Sequence, residues 1–150
     1  AENFFDLLDP TKSVTRRKRR NPANDSIFND ILLQNYGIAS FWIRYPTMLN
    51  SVNYKVYWRA VNDFQTGTFP MKVAMNHHID TAFADPKNIL FDYSLPYTTV
   101  ETLDYNDIYL GDFSSTKHGL EDIFLIGNSV TANGQNTIVC DYIKLVPVLN

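Results

Sequence analysis

A chain of 150 residues, 45% hydrophobic and 19% charged with 6 Gly and 7 Pro, fits one folded domain with a sizeable core and excludes disordered or low-complexity classes. No apolar run approaches the roughly 20 residues that span a bilayer, and the lone cysteine, Cys140, excludes an internal disulfide. The first 20 residues carry six basic against three acidic groups, whereas the remaining 130 carry seven basic against 13 acidic, and that acidic body disfavours a nucleic-acid partner.

Residues 1–36 read as an irregular N-terminal arm and 37–150 as the main domain. The N-terminus has neither the basic region nor the apolar stretch of a signal peptide. Phe4, Phe5, Leu7 and Leu8 make one apolar turn that Asp9-Pro10 ends. The run Arg16-Arg17-Lys18-Arg19-Arg20 has three readings: a solvated connecting loop, a proteolytic processing site, or an arm for nucleic acid. Ile27, Phe28, Ile31 and Leu32 recur at helical spacing, which predicts a short helix, with an irregular strand as the alternative.

From residue 38 the pattern is β. Strands are predicted over 38–45, 54–61, 69–75, 88–93, 98–103, 108–113, 122–126 and 138–146, separated by Gly, Pro, Asn and Asp. Crossover helices are absent from the pattern, so the expected fold is an all-β, antiparallel two-sheet sandwich of jelly-roll type. The first two strands read as a hairpin across Pro46–Asn53. Alternation assigns Phe41, Ile43, Tyr45, Tyr54, Val56, Trp58 and Ala60 to the core and Trp42, Arg44, Lys55, Tyr57 and Arg59 to the outside. In simple register Trp42 then lies opposite Tyr57, and Arg44 faces Lys55, a like-charge pair that calls for a shifted register or an anionic or covering partner.

Signals for chemistry are thin. His77 and His78 are adjacent and point apart in a strand, so no metal site is expected, and no cofactor motif occurs. Cys140 sits in an apolar run and reads as an inert buried thiol. Asp104, Asp107, Asp112, Glu121 and Asp122 cluster in sequence, but a glycosidase needs two opposed carboxylates, which spacing does not supply. The expectation is a non-enzymatic protein.

The closing segment Ile138-Val139-Cys140-Asp141-Tyr142-Ile143-Lys144-Leu145-Val146-Pro147 resembles the last strand of the third, C-terminal domain of three-domain insecticidal crystal toxins and of the related family 6 type of carbohydrate-binding module. Asp9-Pro10-Thr11-Lys12-Ser13-Val14-Thr15 resembles the opening of the toxin domain, and Tyr54–Ala60 resembles its basic strand. The resemblance implies a galactose-binding-like sandwich, released outside the cell, that recognises a glycan or cell-surface glycoprotein and contacts other domains or chains of a larger toxin. Sugar recognition pairs aromatic rings with hydrogen-bonding side chains. The candidates are Trp42, Tyr57, Arg59, Asn76, His77, Tyr97, Tyr105, Asn106 and Gln135. Two other readings are a small viral coat protein with a basic RNA-binding arm and an accessory carbohydrate-binding module of a glycan-processing enzyme. Under the processing reading of the basic run, mild trypsin cuts first within Arg16–Arg20; protection of that run counts heavily against it.

Overall fold

The computed structural model describes residues 6–7, 14–20, 27–36, 41–60, 68–76, 89–96, 106–127 and 135–149. Its strands in chain order are β1 (Asp6–Leu7), β2 (Val14–Arg20), β3 (Ile27–Tyr36), β4 (Phe41–Leu49), β5 (Asn53–Ala60), β6 (Thr68–Asn76), β7 (Ile89–Pro96), β8 (Asn106–Ser114), β9 (Gly119–Gly127), β10 (Gln135–Cys140) and β11 (Tyr142–Val148). Every pairing among them is antiparallel. One layer is a five-stranded sheet in the order β1-β4-β9-β6-β7. The other comprises two three-stranded sheets, β10-β3-β2 and β11-β5-β8. Asp141 alone separates β10 from β11, and its amide donates to the Arg59 carbonyl at 2.9 Å, so these two sheets run on into each other. The all-β, two-layer expectation holds; the predicted strand over 98–103 lies outside the described residues.

The core lies between the layers. From β5 it takes Tyr54, Val56, Trp58 and Ala60, all buried, and from the facing sheet Ile43, Leu49, Leu95, Ile123 and Leu125. Fully burying each aliphatic side chain of this size contributes about 1.5–3 kcal/mol. The Trp58 ring meets Tyr93 edge-on, with centroids 5.9 Å apart. Cys140 is fully buried here, as its apolar setting predicts.

Several expectations need correction. The segment read as a helix, from Ile27 onward, is strand β3, hydrogen-bonded to β10 on one side and β2 on the other. Those two ladders outweigh a local spacing that suits either structure. The basic run is no loop: it forms most of β2, with Arg17 opposite Asp30 and Arg19 opposite Phe28. Asp6 and Leu7 pair with Arg44 and Ile43 as a strand.

The expected hairpin of 38–45 with 54–61 does not form. β4 pairs with β1 and β9, while β5 pairs with β8 and β11, so the chain changes layer across Asn50–Val52. Pro46, expected to open the turn, sits within β4 opposite Asp122. Trp42 therefore does not oppose Tyr57, and Arg44 does not face Lys55. Arg44, expected in solvent, is only 1% exposed and lies 3.9 Å from the equally buried Asp122 carboxylate. Buried charge requires such compensation.

β8 carries an irregularity that shapes everything on its outer side. Val56 pairs with Gly111, yet Tyr57 pairs with Tyr109, so Leu110 is an extra residue and β8 bulges. Gly111 has φ +150°, and a Cβ added there would lie 2.4 Å from the Phe91 ring. Both the conformation and the space exclude a side chain. Gly111→Ala is expected to lower stability by about 1–3 kcal/mol, read as a shifted denaturant midpoint; an unchanged midpoint would show that the bulge is not constrained.

Candidate binding face

Because β5 alternates, its non-core side chains stand on the outer surface of the β11-β5-β8 sheet. Register then fixes their neighbours. Arg59 lies between Tyr142 and Asp107, Tyr57 between Lys144 and Tyr109, and Lys55 between Val146 and Asp112. The bulge matters here. Residues 109 and 112 are an odd number apart and would occupy opposite faces of a regular strand. With Leu110 inserted, both face outward, and the Tyr109 hydroxyl donates to Asp112 Oδ1 at 2.5 Å.

The resulting surface is laced by paired charges and phenols. Lys144 Nζ contacts Asp107 Oδ2 directly. Tyr142 Oη donates to Asp107 Oδ1 at 2.7 Å and accepts from Arg59 Nη1 at 3.3 Å. Arg59 Nε also lies 3.2 Å from Asp141 Oδ2. Lys55 Nζ lies 3.6 Å from Asp112 Oδ1. Cations flank the rings: Lys144 over Tyr57 at 4.9 Å, Lys55 over Tyr109 at 5.1 Å and Arg59 over Tyr142 at 5.5 Å. Tyr57 and Tyr109 are tilted neighbours with centroids 5.5 Å apart. Tyr109 is 48% exposed, so a large part of its ring meets solvent. At the sheet's end Ser114 Oγ donates to Asn53 Oδ1 at 2.7 Å.

Of the sequence candidates, this face unites Tyr57 and Arg59. Asn106 begins β8 in register with Ala60 of the same sheet. Trp42 lies on β4 opposite Ile126, in the other layer, and Asn76 ends β6 opposite Asp122. Gln135 begins β10 opposite Tyr36. His77, Tyr97 and Tyr105 lie outside the described residues. The sequence reading missed Tyr109, Tyr142, Lys144, Asp107 and Asp112. Alternation along 108–113 and 142–146 marks Tyr109, Tyr142 and Lys144 as outward, but only register brings them beside β5.

A cleft of about 190 Å³ opens between the layers, lined by Ile123, Leu125, Ile143 and Leu145 together with Tyr45, Thr47, Cys140 and Tyr142, the last of which also belongs to the sheet face. Its walls are largely apolar and offer few groups for a polyol, unlike the sheet face. Among the described residues no cluster of His, Cys, Asp and Glu is arranged to hold a metal ion.

The titration of the face follows from its contacts. Asp107 is held below the usual carboxylate range by Lys144 first and the Tyr142 hydroxyl second. Asp112 is held low by the Tyr109 hydroxyl, then by Lys55. Lys144 is raised by Asp107, and Lys55 by Asp112. A carboxylate lowered in this way lacks the raised pKa of a general acid. Lowered carboxylates favour the folded state above their unfolded pKa and lose that effect as pH falls through the folded value. Raised lysines do so below their unfolded pKa and lose it as pH rises through the folded one. The face is therefore expected to keep its charges across the neutral range, with NMR titration placing both aspartates below the ordinary aspartate value; a midpoint above the ordinary value would contradict these contacts.

No family model matches the chain, and no curated protein matches it. Solved structures do. The chain, over 94% of its length, matches 25% of the N-terminal CBM22-1–GH10 modules of Clostridium thermocellum endo-1,4-β-D-xylanase 10B, solved with xylohexaose, at TM-score 0.58 and 13% identity. Over 96% of its length it matches 20% of the insecticidal crystal protein Cry2Aa, at TM-score 0.51 and 13% identity. Over 94% it matches 56% of a structure from work on the promiscuous specificity of carbohydrate-binding modules of the β-sandwich superfamily, at TM-score 0.53 and 13% identity. The chain thus spans a quarter or less of the first two proteins. At such identities the likeness shows the fold, and the toxin and carbohydrate-binding groups that the sequence resembles both occur among the structures sharing it.

Proposed function

We propose that this chain is a non-catalytic carbohydrate-binding domain whose ligand lies on the outer face of β11-β5-β8. The observation that carries the reading is the outward tyrosine surface of exposed Tyr109 and half-buried Tyr57 and Tyr142, interleaved with Lys55, Arg59, Lys144, Asp107 and Asp112. A pyranose presents an apolar C–H face and a rim of hydroxyls; rings take the first, and charged donors and acceptors take the second. The fold supports the same reading, because the similar structures include a xylanase solved with xylohexaose and a carbohydrate-binding module.

At a finer level, the partner is a glycan or glycoprotein on a cell surface, met outside the cell by a larger protein that includes this domain. The likeness to Cry2Aa supports a toxin as that protein. No helix among the described residues is long and apolar enough to cross a membrane.

A glycan-array screen of the purified chain tests the proposal, with Tyr109→Ala and Tyr57→Ala as face variants and Trp42→Ala as a variant in the opposite layer. Selective binding is expected, weakened about tenfold or more by either tyrosine substitution and little changed by Trp42→Ala. Binding lost only in Trp42→Ala moves the site to the other sheet, and no binding to any glycan contradicts the function.

A further inference from the structure

We propose that the outer face of β11-β5-β8 selects uncharged glycans over anionic ones, because each of its three cations is matched by its own carboxylate. This rests on the carbohydrate-binding reading above and names the ligand class for that face.

The match is one to one. Lys144 contacts Asp107, Lys55 lies 3.6 Å from Asp112, and Arg59 lies 3.2 Å from Asp141. The other outward positions on the three strands, Asn53, Tyr57, Tyr109, Ser114, Tyr142, Val146 and Val148, carry no charge at neutral pH. Three positive and three negative groups leave the face formally neutral. Its field is then that of short dipoles, which fades faster with distance than the field of a net charge. The chain as a whole is also anionic, with a formal net charge of −3, so long-range steering does not favour an anion.

Close contact gives the same answer. A sulfate or carboxylate that takes Lys144 must displace Asp107 or share the ammonium with it. Either way two anions come together, one of them deprived of its partner. Asp107 also receives the Tyr142 hydroxyl, which the incoming group would leave without its acceptor. A neutral polyol avoids both costs. An ammonium has three protons and a carboxylate about four acceptor positions, so hydroxyl groups add to the existing pairs without breaking them. The sugar's C–H face meanwhile meets Tyr109, the most open ring on the surface.

The test compares neutral oligosaccharides with their sulfated, uronate-bearing and sialylated counterparts by calorimetry, on the full chain. Neutral ligands are expected to bind roughly tenfold or more tightly than anionic ones, with affinity changing less than about twofold between about 50 and 300 mM salt. Asp107→Asn frees Lys144 and is expected to narrow that gap and introduce salt dependence; Asp112→Asn makes the same test at Lys55. Anionic glycans binding as well or better, in a salt-sensitive manner that Tyr109→Ala abolishes, would overturn the selectivity and leave the carbohydrate-binding function standing. A gap that neither Asn variant narrows would also overturn it, since selectivity would then not come from the pairing. No binding to any glycan would overturn both.

Discussion

The period-two alternation of β5 is the constraint on which the rest depends. One strand must supply the centre of the core and, back to back with it, the centre of the outer face. Tyr54, Val56, Trp58 and Ala60 are buried against the five-stranded sheet. That burial fixes which way Lys55, Tyr57 and Arg59 face, and a slip of one residue would exchange the two sets. The core therefore positions the face at no further cost in flexible loops, and the proposed binding groups stand on strands with neighbours on both sides.

Neutralisation is the second theme. A like-charge contact between Arg44 and Lys55 follows from a simple hairpin, yet the structure separates them into different layers and gives each a carboxylate. Arg44 has Asp122 in a buried setting, and Lys55 has Asp112 on an exposed one. Exposed pairs contribute little to stability, so the ladder of charges on the outer face is better understood as ordering the tyrosines than as holding the sheets together. Through Tyr142 and Tyr109, each phenol proton is committed to a carboxylate, which fixes the orientation of both rings.

The fold class was legible because eight short aromatic and β-branched runs, broken by turn residues, leave few alternatives. Faces within β5 were legible for the same reason. Layer membership was not: the hairpin reading of β4 and β5 failed because alternation tells which side of a strand is buried and is silent on which strand lies beside it. The helix reading of Ile27–Leu32 failed because two hydrogen-bonded neighbours decide that segment, and both come from elsewhere in the chain. One member of the candidate face was hidden for a third reason. Asp112 joins Tyr109 only through the extra residue at Leu110, and a bulge breaks the very periodicity that a sequence reading relies on. Gly111 was its one visible trace.

The central claim is that ligand lies on the outer face of β11-β5-β8. Amide chemical-shift mapping, with a pool of neutral oligosaccharides that includes xylohexaose, tests it most directly. The account predicts saturable shifts clustered at Lys55, Tyr57, Arg59, Tyr109, Asp112, Tyr142 and Lys144. Shifts confined to the other layer or to the connecting segments, or none with the whole pool, would contradict it.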